Sequence, residues 1–212
     1  DELGLKLSIV DVGSDPAGAL SNGKVDIVMD IDSSDAPSGV WVSERYVPTG
    51  IALFALSSSQ SGLPTANAQS SIAAQLSSTS AWAVSNTYGD SSLKSVASLS
   101  DAFSQLSSGS VKYVAADAII GMYAAHVAGV DVDIVGMLAQ PSGYCIAASS
   151  TNADLKTAVE GAVDQLTSNG VIGIIEAKWL GKAIDFTGID VVGAASKSVD
   201  ADSDTAVKTT TE

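Results

Sequence analysis

Hydrophobic and β-branched residues along the chain gather in short runs, and these runs predict strands. The predicted strands cover residues 6–12, 25–31, 50–56, 81–85, 111–116, 132–138 and 143–148. The run from Gly50 to Leu56 is apolar at nearly every position, which is typical of a strand buried on both faces of a sheet.

Between these runs, apolar residues recur at helical spacing. The predicted helices cover residues 15–20, 70–76, a stretch that opens at Gly89 and ends at Gly109, and then 119–127, 152–170 and 171–180. Leu99, Phe103 and Leu106 lie at positions i, i+4 and i+7, which puts them on one helix face. Strands that alternate with helices favour an α/β fold with mostly parallel strands.

Composition and charge exclude some classes of function. The chain has 212 residues, 46 % of them hydrophobic, which is enough to build a sizeable core. Ten Lys and Arg against 24 Asp and Glu give a net charge of −14, so phosphate backbones and anionic lipids would repel the protein. We therefore expect no nucleic-acid partner. The first residues lack the basic start and apolar stretch of a signal peptide, as expected if such a segment has been removed.

Several polar residues could carry chemistry, and each has a simpler interpretation. Asp30, Asp32 and Asp35 are spaced like calcium ligands, but the loop lacks the glycine and bidentate glutamate of a dedicated site, so a solvated acidic turn is expected. His126, the only histidine, suits a helix C-terminus. Cys145, the only cysteine, is expected to be an inert buried thiol. We predict no metal site.

Catalysis is also not indicated by the residues. Ser43 lies near Arg45, but no histidine accompanies it, so a hydrolase nucleophile is not predicted. The Gly-x-Gly-x-x-Gly fingerprint of dinucleotide sites is absent. We therefore expect no cofactor and no enzymatic activity.

Six segments, taken in order, resemble a known family. They are residues 3–10, 19–28, 42–51, 106–117, 143–170 and 176–181, and they include Ala19-Leu-Ser-Asn-Gly-Lys-Val-Asp-Ile-Val and Glu176-Ala-Lys-Trp-Leu-Gly. Their order and spacing resemble the extracellular solute-binding proteins of polar amino-acid ABC transporters. The resemblance covers about residues 3–181.

The resemblance implies an α/β fold with two periplasmic-binding-protein-like lobes of type 2 and two hinge crossovers. The family's first strand and helix are missing from this chain. Composition turns polar after Leu56 and after Leu138. Together these observations predict that lobe 1 comprises 1–52 plus 145–190, that lobe 2 comprises 57–140, and that 194–212 is a disordered tail.

The resemblance also assigns site residues in the first lobe. The segment from Val42 to Ile51 matches the family's run entering the hinge, which implies ligand contacts at Ser43, Tyr46, Thr49 and Gly50. Trp41 could offer a stacking surface, and a core role is the alternative.

Three further positions complete the predicted site. Asp117 matches the family aspartate that takes a ligand amino group, although it could simply cap the following helix. Ser91 belongs to Gly89-Asp90-Ser91, which stands where the family has the glycine-threonine start of a helix in the second lobe. The family arginine that pairs with the ligand carboxylate has no counterpart in residues 33–38. Arg45 could replace it, or could instead pair with a surface carboxylate such as Glu44.

These points predict an extracellular binding module on the cell surface or in the periplasm, with a lipid anchor in a segment outside this chain as one arrangement. Its expected partners are a small polar solute, including amino acids, and the membrane permease of an ABC transporter. A degenerate surface or sensor domain with the same fold is the alternative. Because lobe 1 lacks the family's first strand, an open sheet edge could support a homodimer.

Overall fold

The computed structural model describes residues 4–13, 15–32, 39–59 and 62–192, and the predicted tail lies outside them. The described residues form helices packed around two β-sheets. None of the helices described here combines the length and the apolar composition needed to cross a bilayer.

The first sheet is antiparallel and is built on one central strand. Its strands are β1 (Ile27–Asp32), β2 (Val40–Val42), β3 (Val47–Thr49) and β9 (Ser142–Ser149), and each of the first three pairs with β9. Helices α1 (Pro16–Ser21) and α5 (Ala153–Ser168) also contact β9. A small core of Leu20, Val28 and Ala147 joins α1 to the sheet.

The second sheet is mixed and larger. It comprises β4 (Ile51–Leu56), β5 (Ile72–Gln75), β6 (Leu93–Val96), β7 (Tyr113–Asp117) and β8 (Val132–Met137), in the order β6-β5-β7-β4-β8. Its helices are α2 (Thr79–Tyr88) on one face and α3 (Leu99–Ser107) with α4 (Ala118–Val127) on the other. The last helix, α6 (Val171–Leu180), packs on α4.

Alternation along β4 explains why this sheet carries helices on both faces. Leu53 and Ala55 point into the core under α2, whereas Ala52 and Phe54 point into the core under α3 and α4. All four are completely buried. The apolar run that predicted a doubly buried strand is therefore confirmed.

Most predicted elements are confirmed within about two residues at each end, which is the usual variation in such boundaries. These are the helices expected over 15–20, 119–127, 152–170 and 171–180, and the strands expected over 25–31, 50–56, 111–116, 132–138 and 143–148. The helix face formed by Leu99, Phe103 and Leu106 is also found, within α3.

Three local predictions were wrong. Residues 70–76, expected to be helical, contain β5, whose apolar side chains are buried between β6 and β7. Residues 81–85, expected to be a strand, lie inside α2, where the Ser78 side chain caps the helix by accepting from the Ala81 amide. The helix expected from Gly89 begins only at Leu99, because β6 lies between them.

The predicted first strand is also absent. The structure assigns no strand to residues 6–12, and Leu5 and Leu7 are each 71 % exposed while Ile9 is 88 % exposed. No described strand pairs with them, so their alternating pattern has no ladder to join.

The expectation of mostly parallel strands was wrong as well. Of the seven pairings between described strands, only β5 with β6 and β5 with β7 are parallel. The reason is topological. β4 and β9 each begin directly after the chain crosses from the other sheet, and no helix precedes them to bring the chain back for a parallel strand.

Two crossings link strands of the two sheets directly, and they touch; after α6 the chain returns to the second sheet, where Val191 bridges Met137. The first is at Gly50, between β3 and β4, and the second spans residues 138–141, between β8 and β9. The Leu138 amide donates to the Ile51 carbonyl at 2.7 Å. Gly50 has a φ of 151°, which residues with a Cβ rarely adopt, so glycine suits this crossing. The lobe division at 52/57 and 140/145 stays a prediction.

Candidate functional site

A group of polar side chains lies where the two sheets meet. Thr49, at the end of β3, donates its hydroxyl to Asp117 Oδ2 at 2.6 Å, and Asp117 ends β7 of the other sheet. On the first sheet, Tyr46 donates its phenol to Asp30. Tyr144 on β9 interacts with Asp117, Asp30 and Thr49. We call these five residues the junction cluster, and it joins the sheets next to both crossings.

Asp117 has a structural task within this cluster. Its Oδ1 accepts from the Ile120 amide at 3.0 Å, so it caps the N-terminus of α4, while Oδ2 accepts from Thr49. The capping role considered from the sequence is therefore present. Because a carboxylate offers about four acceptor positions and this residue is only half-buried, Asp117 can accept further donors.

The tyrosines of the cluster are kept neutral. Burial, the charge of Asp117 and a hydrogen bond with it raise the pKa of Tyr144 to about 12, and Asp30 adds to this rise. Burial and the hydrogen bond to Asp30 raise the pKa of Tyr46 as well. Both phenols are therefore neutral donors near pH 7, and the charge of the cluster comes from its aspartates.

A third carboxylate borders the cluster. Asp32 lies opposite Tyr144 in the pairing of β1 with β9, and its Oδ2 accepts from the Ser142 hydroxyl at 2.7 Å. Asp30, in the same strand, occupies a bulge with a φ of 60°. The solvated acidic turn expected from the sequence is thus partly wrong, because both aspartates accept side-chain hydrogen bonds, while Asp35 lies outside the described residues.

The structure does not bring Arg45 to this cluster. A Cβ atom on Gly143 would lie 2.7 Å from Arg45 Cβ, so the arginine packs on the Gly143 side of β9. Side chains alternate along a strand, which puts Tyr144 on the opposite side. Arg45 instead lines a surface cavity with Glu44 and Asp164. The predicted carboxylate clamp is therefore not supported by this position.

Ser43 and Trp41 have different surroundings. Ser43 is buried, and its hydroxyl accepts from the Ile146 amide at 3.0 Å and donates to the Glu44 carbonyl at 2.7 Å, so it fastens the chain to β9. Trp41 lies opposite Ala148 and is half-buried. It shares a sheet face with Tyr144, about 13 Å away along the strand.

Ser91 is at the wrong end of the second sheet for the predicted site. It lies in a short 3₁₀ helix just before β6, whereas Asp117 is the last residue of β7. Because β6, β5 and β7 run parallel, these positions belong to opposite edges. Three described helices start at the Asp117 edge: α2 follows β5, α3 follows β6 and α4 follows β7, and their caps are Ser78, Ser98 and Asp117.

Sequence reasoning missed Asp30, Tyr144 and Ser142 as members of this region. The Ser77-Ser78-Thr79 run after an apolar segment was a usable signal for the start of α2. Nothing local signals Tyr144, because its neighbours Thr49 and Asp117 come from distant parts of the chain.

The two other candidate residues lie apart from the cluster's hydrogen bonds. Cys145 is buried, and burial together with the charges of Asp32 and Glu44 raises the pKa of its thiol, as an inert cysteine requires. His126 lies in the last turn of α4 beside Gly181. Among the described residues, no group of three or more acidic, histidine or cysteine side chains is placed to hold a metal ion.

Comparison with solved structures gives consistent matches. An ancestral cationic amino acid solute-binding protein is 22 % identical, with a TM-score of 0.69 over 84 % of this chain and 80 % of its own. The L-cystine solute receptor of Neisseria gonorrhoeae, in its unliganded open form, is 18 % identical, with a TM-score of 0.69 over 86 % and 79 %. The chain has the two-lobe, type 2 periplasmic-binding-protein fold.

Another match with this fold is an amino acid ABC transporter substrate-binding protein from Streptococcus pneumoniae bound to L-arginine, which is 19 % identical, with a TM-score of 0.58 over 87 % of this chain and 80 % of its own. Most such neighbours are binding proteins, although one is an ancestral amino-acid-binding protein described as a precursor of cyclohexadienyl dehydratase. No family model and no curated protein matches the sequence.

Proposed function

We propose that the protein binds a small polar solute between two lobes, at the junction cluster. The observation that carries this proposal is the contact of Thr49 with Asp117, which brings polar groups of both sheets together next to the two crossings. Inter-lobe clefts are favoured ligand positions, and hinged folds of this kind close around a ligand.

Asp117 is the central binding group in this proposal. A carboxylate at the end of a strand in an α/β sheet suits a ligand ammonium, which it binds through charge-assisted hydrogen bonds. Thr49 contacts it directly, Tyr46 belongs to the same cluster, and Gly50 lies at the adjacent crossing. Trp41, on the same sheet face as Tyr144, would contact only a longer solute.

The wider role follows from the fold neighbours, whose names describe amino-acid receptors and ABC transporter proteins. We propose that this chain acts outside the cytoplasm and delivers its solute to an ABC permease. We also propose that it divides into lobes near the predicted bounds of 1–52 plus 145–190 and 57–140, except that α6 and the residues after it go with the second sheet, on whose core they pack. No catalytic step forms part of the proposal.

Titration calorimetry against amino acids, amines and small acids tests the proposal. We expect at least one nitrogen-containing solute to bind, and Asp117→Asn to weaken it more than tenfold. Glu160→Gln is the matched control, because it removes the same charge from an exposed position on α5. If no solute binds, the alternative of a surface or sensor domain with this fold replaces the transport role.

We also propose that the open edge of the first sheet supports a homodimer. Among the described strands, β1 pairs only with β9, so its other edge has no described partner. The exposed apolar residues Leu5, Leu7 and Ile9 precede it in the chain. A second copy would supply an edge of matching length. Sedimentation velocity should show a concentration-dependent dimer that Ile9→Lys abolishes, and a monomer at every concentration would contradict this.

A further inference from the structure

We propose that the solute is an amine without a carboxylate beside its ammonium group, such as an aliphatic mono- or polyamine, rather than an α-amino acid. This inference rests on the proposed function, since it concerns the chemistry of the same site. It follows from the charges, donors and aromatic groups around the junction cluster.

In the part of the chain that the structure describes, no lysine or arginine is a hydrogen-bond or charge partner of the cluster's tyrosines. The only arginine, Arg45, packs on the Gly143 side of β9, away from Tyr144. Residues 33–38, between β1 and β2, contain neither lysine nor arginine.

The described lysines with visible partners are engaged elsewhere. Lys182 binds Asp133 at 2.5 Å, Lys24 donates to the Asp11 carbonyl at 3.2 Å, and Lys178 lies over the Trp179 ring. Lys112 and Lys94 lie near the opposite edge of the second sheet from Asp117. Lys112 immediately precedes β7, and Lys94 is the second residue of β6. The described charged residues that interact with the cluster are all negative.

The carboxylates at the site are close enough for their charges to act on the same ligand group. Tyr144 interacts with both Asp117 and Asp30, although these come from different sheets, and Asp32 lies directly opposite Tyr144 in the strand pairing. A ligand group that reaches Asp117 therefore lies within range of three negative charges. An ammonium is attracted by all of them, whereas a carboxylate attached to the next carbon is repelled.

The tyrosines reinforce this preference. The Tyr46 hydroxyl donates a hydrogen bond to Asp30, so this phenol is not free to donate to a ligand carboxylate. The rings of Tyr46 and Tyr144, each half-buried, can offer their faces to a cation. The starts of α2, α3 and α4 also lie at this edge and could attract an anion, but in each helix one amide already donates to a capping side chain.

The test compares pairs of ligands that differ only by the carboxylate. Cadaverine is compared with L-lysine, and agmatine with L-arginine, by calorimetric titration of each into the protein. The buffer contains about 150 mM NaCl, which screens nonspecific attraction of cations to the acidic surface. We expect each amine to bind at least tenfold more tightly than its parent amino acid. L-Lysine methyl ester, whose carboxylate charge is removed, should fall between the two.

Asp30→Asn, compared with the control Glu160→Gln, shows whether the combined negative charge of the three aspartates causes the preference for amines over amino acids. We expect Asp30→Asn to weaken cadaverine at least tenfold and to narrow its advantage over lysine, while Glu160→Gln changes neither. Circular dichroism confirms that both variants are folded.

The outcomes separate this inference from the proposed function. Tighter binding of the amino acids would overturn the inference, because the carboxylate must then have its own site, such as the start of α2, α3 or α4, while the proposed function would stand. Binding of amines that disappears at about 150 mM NaCl, or that Glu160→Gln weakens equally, would also overturn it. Absence of binding by every compound would contradict both.

Discussion

Asp117 illustrates how one residue can serve the fold and the proposed site together. Its two carboxylate oxygens accept from Ile120 and Thr49, which holds the start of α4 against the end of β3. The same hydrogen bonds fix the carboxylate in position, so a ligand does not need to order it. A substitution can therefore affect stability and binding separately, depending on which oxygen contacts survive.

Asp117→Ala and Asp117→Asn should differ in stability and agree in binding. Alanine removes the cap of α4, which lowers the free energy of unfolding by about 1–2 kcal/mol, whereas asparagine is a good N-cap and keeps most of it. Both variants lack the charge that attracts an ammonium. Urea denaturation measures the first effect and calorimetry the second. Equal losses of stability in the two variants would show that the cap contributes little.

Tyr144 should lose its proton at a higher pH than an ordinary tyrosine, and the stability of the fold should therefore fall as the pH rises. Its pKa in the folded protein is raised to about 12, above the ordinary value of 10.0. Below pH 10 the phenol is neutral in both states, and between about pH 10 and 12 only the unfolded chain loses the proton, so stability falls as pH rises through this range. Tyr144→Phe should lose less stability over that interval. Absorbance at about 295 nm follows tyrosinate formation, and a transition of this residue near pH 10 would contradict the prediction.

At the scale of elements, the interface between α4 and β4 is closely packed through a glycine. A Cβ atom on Gly121 would lie 2.5 Å from the ring of Phe54, which is completely buried and also meets Phe103 edge-on at 5.7 Å. The helix can approach the sheet only because this side chain is absent. Gly161, in α5, has no neighbour within 4 Å of a Cβ and offers a direct comparison.

Gly121→Ala and Gly161→Ala should therefore have opposite effects. Alanine is favoured over glycine inside a helix, so Gly161→Ala should raise the free energy of unfolding by about 0.5–1 kcal/mol. Gly121→Ala should lower it by about 1–3 kcal/mol, because the Phe54 ring must move within a packed core. Urea denaturation of both variants measures the difference. A stabilised Gly121→Ala would mean that α4 can shift away from β4 without cost.

Sequence patterns predicted elements best where they were long or strongly apolar. The helix over 152–170 and the strand over 50–56 were clear because many positions agreed on one period. Strand and helix were exchanged for residues 72–75 and 81–85, because runs of four or five mostly small and apolar residues fit both periods. Strand direction was missed because it depends on where the chain crosses between sheets, which periodicity does not encode.

The site was only partly predictable for a related reason. Tyr46, Thr49, Gly50 and Asp117 lie together, as the family resemblance implied. Arg45 was misjudged because a strand sends adjacent side chains to opposite faces, and a register difference of one residue decides which face is reached.

For the whole molecule, the net charge of −14 is the dominant electrostatic fact. Lys182 forms ion pairs with Asp131 and Asp133, but 24 acidic side chains face only ten basic ones, so most carboxylates repel one another without compensation. Such repulsion favours solubility and opposes the compact state.

Added salt should stabilise the protein and weaken the proposed amine binding. Raising NaCl from about 10 mM to about 500 mM shortens the screening length to a few ångströms, which removes most carboxylate repulsion. The melting temperature should rise by several degrees, while the affinity for a diamine falls. Calorimetric melting and titration measure the two effects, with an uncharged osmolyte as the control. A melting temperature that falls with salt would show that attractive pairs outweigh the repulsion.

The position of Gly50 has a kinetic consequence. Its carbonyl accepts from the Ala118 amide at 2.9 Å, so Asp117 is one residue from the axis about which two lobes would turn. Points near an axis of rotation move little, whereas distant points sweep long arcs. In the proposed binding site, Asp117 would therefore receive an arriving ligand at any opening angle, and closure of the proposed lobes would add the remaining contacts afterwards. Substitutions that alter the opening angle should leave the association rate nearly unchanged and act on residence time.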